Sequence, residues 1–161
     1  MNLKNASGFT IIEIITVLIV MGIITAFVIG RAGSNRTDLV VQAEVLKAHL
    51  RFAQTQAVNS TLNFGIESDA GGNNYWLFKY DTSKVPPVVK IKLPNQSADQ
   101  VNLSGSGLSI TASAIVCFDD RGVPYTDHTA STIQAADRSI TISDGSTSIT
   151  TTITKNTGFI P

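Results

Sequence analysis

The chain has 161 residues, and its 12 basic side chains balance its 12 acidic ones, so its formal net charge at pH 7 is zero. A neutral chain has no overall electrostatic attraction for nucleic acid or for an anionic membrane surface. Its single cysteine, Cys117, excludes an intrachain disulfide, and the length suffices for one domain of ordinary size.

The first predicted element is a helix that begins in an apolar run over residues 9–29. As a helix, this run would be about 31 Å long, which matches a hydrocarbon core of about 30 Å. One carboxylate, Glu13, lies inside the run, where a charge costs roughly 2.5–3.5 kcal/mol on insertion into a bilayer. The pattern therefore predicts a membrane-spanning helix whose acid needs a positively charged partner.

The residues at the start of the run resemble the class III signal of type IV pilins and pseudopilins. That signal is a short basic leader ending in glycine, then Phe, Thr, two apolar residues, Glu and an apolar helix. Lys4, Gly8, Phe9 and Glu13 stand at the matching positions. The resemblance implies that a prepilin peptidase cleaves after Gly8 and N-methylates Phe9. It also implies that Glu13 pairs with the N-terminal amine of a neighbouring subunit.

Two plainer interpretations of the apolar run remain open. One is an ordinary secretory signal, but such a signal loses its charge and apolar core on cleavage, and residues 32–34 form only a weak cleavage site. The other is a single-span anchor in which Glu13 is incidental. Neither interpretation explains the leader, the glycine, the aromatic residue and the acid together.

The helix is predicted to continue to about Asn59, with residues 30–61 forming an amphipathic second half. Residues 30–35 have low helix propensity, so a bend and a straight helix both remain open. Beyond them, apolar residues recur at spacings of three and four and predict a stripe that packs against a sheet: Leu39, Ala43, Leu46, Leu50, Ala53 and Ala57. The charged side chains among them are expected to face solvent: Asp38, Glu44, Lys47 and Arg51.

Residues 62–161 carry strand and turn signals and are predicted to form one β-rich globular head. Candidate strands are 63–67, 75–80, 88–93, 108–111 and 115–118, and Asp144-Gly145 joins the arms of a hairpin over 140–143 and 149–153. The expected fold class is therefore α+β, with a long N-terminal helix, membrane-spanning in its first half, packed on an antiparallel sheet or sandwich. The predicted organisation is a leader (1–8), a transmembrane helix (9–29), an amphipathic helix half (30–61) and the head (62–161).

The head also resembles, more weakly, the H-type minor pseudopilins and FimT-type minor pilins. This second resemblance depends on three short segments: 50–57 at the end of the helix, the turn over 118–122, and 157–159 near the last residue. It implies an antiparallel β-sandwich or sheet pair that packs against the helix.

Candidate chemical sites are few. His49 and His128 have no partner spacing typical of metal binding or catalysis and are expected to be ordinary polar positions. Asp119-Asp120 lacks the alternating oxygen ligands of a calcium loop, so a solvated turn is expected there. Cys117 lies in an apolar strand-like run and is expected to be a small core residue. No catalytic residue, cofactor or metal is predicted.

The resemblance implies a structural minor subunit of a type II secretion pseudopilus or a type IV pilus, not an enzyme. It implies a single-pass protein of the bacterial inner membrane with its head in the periplasm. The expected partners are prepilin peptidase, other pilin or pseudopilin subunits, the inner-membrane assembly platform and inner-membrane lipid.

Two alternative functions remain open. The first is a DNA-binding minor pilin for DNA uptake, although residues 154–161 offer one basic side chain, Lys155, toward the basic patch that such binding needs. The second is a membrane-anchored enzyme, for which the sequence shows no nucleophile, base or metal cluster. Nucleic acid is therefore not among the expected partners.

Overall fold

The computed structural model of the chain describes residues 10–31, 36–112 and 114–161, without the side chains of residues 28–31 and 36. Two compact units are present, Met1–Ser34 and Asn35–Pro161. The predicted leader, including Gly8, and the predicted first mature residue, Phe9, lie outside the described residues.

The first unit contains a single described helix, α1, over Ile11–Arg31. Its large apolar side chains are exposed, from 46% at Ile15 to 80% at Ile11. The hydroxyls of Thr16 and Thr25 donate to the carbonyl oxygens of Ile12 and Met21 one turn earlier, each at 2.7 Å. The helix thus bonds these two hydroxyls internally and presents an almost wholly apolar surface.

The structure corrects the predicted fold class. The described chain has two helices, α1 and α2 (Arg36–Val58), with a mostly antiparallel β fold, and not one long N-terminal helix packed on a sheet. Residues 32–35, which separate the two helices, lie outside the described residues. Their sequence includes glycine, serine and asparagine, whose low helix propensity was the reason that a bend remained open, but the prediction of one helix to about Asn59 is wrong.

The predicted localisation is also wrong. A membrane-spanning helix needs about 20 consecutive, predominantly apolar residues. Within the described part of the chain, no helix combines the length and the apolarity needed to cross a membrane. That finding overturns the transmembrane helix over 9–29 and the single-pass inner-membrane anchor with a periplasmic head.

In the second unit, α2 buries one stripe of its surface. All six predicted stripe residues are at most 1% exposed: Leu39, Ala43, Leu46, Leu50, Ala53 and Ala57. The helix packs on strands of both sheets described below, and most of the stripe belongs to one large core cluster. The prediction that this stripe packs against a sheet is confirmed.

The larger sheet has six antiparallel strands. They are β1 (Asn63–Ser68), β2 (Asn74–Tyr80), β3 (Val88–Ile91), β4 (Val101–Asn102), β6 (Ile115–Phe118) and β7 (Pro124–Tyr125). Their order is β3-β2-β1-β6-β7, and β4 pairs with the start of β2. The sequence predicted four of these strands and missed β4 and β7, because two residues are too few to show alternation.

The smaller sheet has the order β5-β8-β9. Its strands are β5 (Ser109–Ile110), β8 (Arg138–Ser143) and β9 (Ser148–Ile153). The β8–β9 hairpin turns through Gly145, whose φ of 87° requires a residue tolerant of the left-handed region. This confirms the hairpin predicted from Asp144-Gly145.

Candidate functional site

The described part of the first predicted site is the start of α1. The backbone N–H of Glu13 lies 3.1 Å from the carbonyl oxygen and 3.3 Å from the hydroxyl oxygen of Thr10. Thr10-x-x-Glu13 is the spacing of a capping box, and an acid in the first helical turn also interacts favourably with the helix dipole. This capping role was not predicted, although its spacing is visible in the sequence. Pairing of Glu13 with another subunit stays a prediction.

A second candidate site is a junction of three chain segments on α2, here called the Gln54 clasp. The side-chain amide of Gln54 donates to the carbonyl oxygens of Gly122 at 2.9 Å, Gly158 at 3.2 Å and Thr157 at 3.3 Å. Arg51, one turn earlier, donates to the carbonyl oxygen of Ile160 through Nη2 at 2.9 Å and Nε at 3.3 Å. Side chains of α2 thereby hold both the 119–122 turn and residues 157–160.

Glycine is required where the two loops of the clasp meet. Gly158 has a φ of 63°, and a Cβ atom there would lie 2.4 Å from the Gly122 carbonyl oxygen and 2.5 Å from Gln54 Nε2. Gly122 also has a positive φ, of 75°, and a Cβ atom there would approach Gln54 and Val58 to 3.2 and 3.3 Å. The three short segments that carry the weaker sequence resemblance, far apart along the chain, thus meet at one junction.

A third candidate site surrounds His49, which is 6% exposed rather than an ordinary surface position. Its Nδ1 lies 3.0 Å from the Tyr75 hydroxyl, and Pro94 supplies a backbone hydrogen bond to the ring. Because a carbonyl can only accept, the second ring nitrogen carries the hydrogen and Nδ1 accepts from Tyr75. Burial lowers the pKa of His49, with the Pro94 bond partly opposing it, so the ring is neutral at pH 7.

His128, the other histidine, lies beside the larger sheet. Its Nε2 is 3.1 Å from Glu67 Oε2, which also accepts from the Trp76 indole N–H at 3.2 Å. The Lys90 ammonium lies 3.6 Å from the centroid of the Trp76 ring, and His128 packs edge-on against Phe78. His128 is thus a half-buried polar position whose ring contacts Glu67 of β1 and Phe78 of β2.

In the acidic turn after β6, neighbouring residues donate hydrogen bonds to the Asp119 carboxylate. Asp119 is 7% exposed, and its Oδ1 accepts the backbone N–H groups of Arg121 at 3.0 Å and Val123 at 2.9 Å. Its Oδ2 accepts from Arg121 Nη2 at 2.8 Å and from the Tyr125 hydroxyl at 3.2 Å. Burial acts to raise the pKa of Asp119, but these hydrogen bonds outweigh it and hold the pKa below its usual value.

The Asp119 carboxylate is therefore structural rather than solvated, whereas the Asp120 side chain is 69% exposed, as expected. The Asp119 carboxylate has no lone pair to spare for calcium, and no group of three or more metal-ligating side chains occurs among the described residues. Cys117 is fully buried, as predicted, and burial raises the pKa of its thiol to about 12. A thiol in that state is a packing residue and not a nucleophile.

The fourth candidate site is a surface cleft of about 320 Å³ in the head. Val45, Ala48, His49 and Phe52 line it from α2, and residues 94–96 line it from the loop that follows β3. No sequence pattern predicts this cleft, because it depends on where a long loop contacts the helix.

The chain matches no protein-family model, no curated protein and no solved structure. Function must therefore be inferred from the chain's own residues.

Proposed function

We propose that this chain is a structural subunit of a type IV pilin-like filament, a pseudopilin or minor pilin, processed by prepilin peptidase. Cleavage follows Gly8, and Phe9 becomes the N-methylated first residue. The role is assembly through helix packing and involves no catalytic step. The sequence motif from Lys4 to Glu13 and the surface of α1 support this proposal.

The observation that carries the proposal is the apolar surface of α1. The head buries its own apolar residues in a core, whereas α1 exposes large apolar side chains along its length, including Leu18 and Met21 at 64% each. Contiguous apolar surface of this extent marks an interaction site. Packing of α1 against helices of other subunits would remove this surface from water, at roughly 25 cal/mol per Å² of apolar area buried.

Glu13 gives this assembly its polar contact. Within a bundle of apolar helices, a carboxylate and the amine of a neighbouring Phe9 attract strongly, because the local dielectric constant is far below that of water. The same pair exposed to water contributes little. Glu13 therefore favours the one axial position at which a neighbour's amine lies beside it.

The test separates pairing by Glu13 from capping by Glu13. Gln fits the capping box as well as Glu does, so Glu13→Gln keeps the cap and removes the charge. We expect Glu13→Gln to be cleaved normally, with Phe9 as the first residue by intact mass, and to be depleted from sheared filaments. Thr10→Ala, which removes the cap and keeps the acid, is the matched control and should assemble.

Three outcomes would contradict the proposal. Assembly of Glu13→Gln at the wild-type level would remove the pairing role. A mature wild-type chain that begins at a residue other than Phe9 would remove the processing step. Absence of the wild-type chain from every filament fraction would remove the filament function itself.

A further inference from the structure

The cleft in the head has the chemistry of a site for an uncharged apolar group. Its volume of about 320 Å³ lies within the roughly 300–1,000 Å³ of ligand-binding sites. Val45, Ala48 and Phe52 contribute apolar surface, and residues 94–96 contribute a proline and two amide side chains. Apart from His49, no acidic or basic side chain among the described residues lines it.

His49 does not change this character, although it lines the cleft. Its Nδ1 is taken by the Tyr75 hydroxyl, and its other ring nitrogen by the Pro94 backbone. The ring therefore contributes a neutral, largely apolar surface. These two hydrogen bonds hold the ring in one orientation.

A surface of matching chemistry exists on α1. At about 100° per residue, Ile11 and Ile15 lie opposite Glu13, and Leu18 lies in the same row at the edge of a groove that Glu13 also lines. They are 80%, 46% and 64% exposed, and their spacing of four and three places them in one row. Three aliphatic side chains in one row of a helix are the anchors that an apolar groove accepts.

We propose that the cleft receives this face of α1 from a second copy of the chain, with Leu18 inserted beside Ala48 and Phe52. The inference rests on the proposed filament function and names the surface on the head that a neighbouring copy contacts. The face that carries Glu13 remains available for the amine of another subunit.

Such a contact joins two different surfaces, the cleft of one copy and α1 of the next. A heterologous contact generates a ring where the rotation between copies closes and an open filament where it does not. The proposed filament function requires the second case, in which copies add one after another.

The test uses two differently tagged copies expressed together in the filament-forming bacterium. One carries Ala48→Cys and the other Leu18→Cys, and a mild oxidant is added to cells and to sheared filaments. Val20→Cys replaces Leu18→Cys in the control, because Val20 is 49% exposed on the Glu13 side of α1. Cys117 is fully buried and does not compete. We expect a disulfide-linked dimer carrying both tags with Leu18→Cys, and its loss with Val20→Cys.

A second pair of variants tests the cleft without cross-linking. Ala48→Asp places a charge at the cleft from an exposed helix position, and Val41→Asp places one on the same helix away from it. We expect Ala48→Asp to remove the chain from sheared filaments and Val41→Asp to leave its incorporation unchanged.

The outcomes separate this inference from the filament function. Wild-type filaments with equal cross-linking of Leu18→Cys and Val20→Cys, or with adducts only to a different protein, overturn the cleft contact and leave the filament function standing. A cross-link specific to Leu18 in cells that assemble no filament containing the chain supports the contact and overturns the filament function. Normal incorporation of Ala48→Asp overturns the contact.

Discussion

Replacement of Gly158 by alanine tests the clasp that joins α2 to the end of the head. The new Cβ atom would lie 2.4 Å from the Gly122 carbonyl oxygen, closer than real Cβ contacts come, so one of the two loops must move. Movement breaks hydrogen bonds of Gln54 to these loops, each worth about 1 kcal/mol net. Alanine in the left-handed region adds roughly 1–2 kcal/mol. Two lost hydrogen bonds and this strain predict a loss of about 3–4 kcal/mol in the free energy of unfolding.

Gly145→Ala is the matched control for this substitution. Gly145 has a φ of 87°, but a Cβ atom there would meet nothing within 4 Å. The control therefore carries the backbone strain of roughly 1–2 kcal/mol without the collision. The difference between the two variants, about 2 kcal/mol, measures the two hydrogen bonds of the clasp.

Urea unfolding of the compact unit Asn35–Pro161 measures both variants. The single tryptophan, Trp76, lies half-buried on β2 and reports unfolding by its fluorescence. Gly158→Ala should lower the midpoint well below that of Gly145→Ala with little change in slope. Equal destabilisation by the two substitutions would refute the reasoning, since it would leave backbone strain as the whole effect.

Two further predictions concern α2. Leu50→Asp should lower the free energy of unfolding by at least about 3 kcal/mol, because an unpaired charge would replace a fully buried side chain. The control Val41→Asp, at a position that is 52% exposed, should change it by about 0.5 kcal/mol or less. Urea unfolding measures both variants, and similar midpoints would show that the stripe is not packed. His49→Gln should reduce the stability that the protein loses on acidification. The pKa of His49 in the folded chain lies below its ordinary value near 6.5, so the unfolded chain binds the proton first as the pH falls. The contribution of neutral His49 to stability is therefore fully present above about pH 6.5 and is lost as the pH drops below it. Melting temperatures of both proteins between pH 7.5 and pH 5 measure the difference, with parallel curves as the contradicting result.

Regular patterns of neighbouring residues were sufficient to predict much of the head. The stripe from Leu39 to Ala57 follows helical spacing, and the arms on either side of Asp144-Gly145 alternate as strands do. Both patterns are local, so each could be read within about 20 residues of sequence. The low helix propensity of residues 30–35 was also visible in the sequence, but it left a bend and a straight helix both open, and the structure has two helices, α1 and α2.

The candidate sites depend on contacts that no local pattern records. His49 lies at a helical position next to the buried stripe, but its partner Tyr75 is 26 residues away. Asp119 occupies an ordinary turn sequence, and burial of its carboxylate depends on Tyr125 and on how β6 and β7 pair. The cleft requires the loop after β3 to meet one face of α2. Residue spacing along the chain predicts helices and strands well, but it predicts long-range contacts between them poorly.

The clasp also has a consequence for the order in which the head is completed during synthesis. Gln54 is synthesised early, but its partner Gly158 follows 104 residues later. Ile160, the partner of Arg51, follows 109 residues after Arg51. Closing so long a loop costs conformational entropy, and only the completed contacts offset that cost. A ribosome that has made every strand has still not supplied the last hydrogen-bond acceptors of α2, so we expect the head to reach its full stability only after residues 157–160 have emerged.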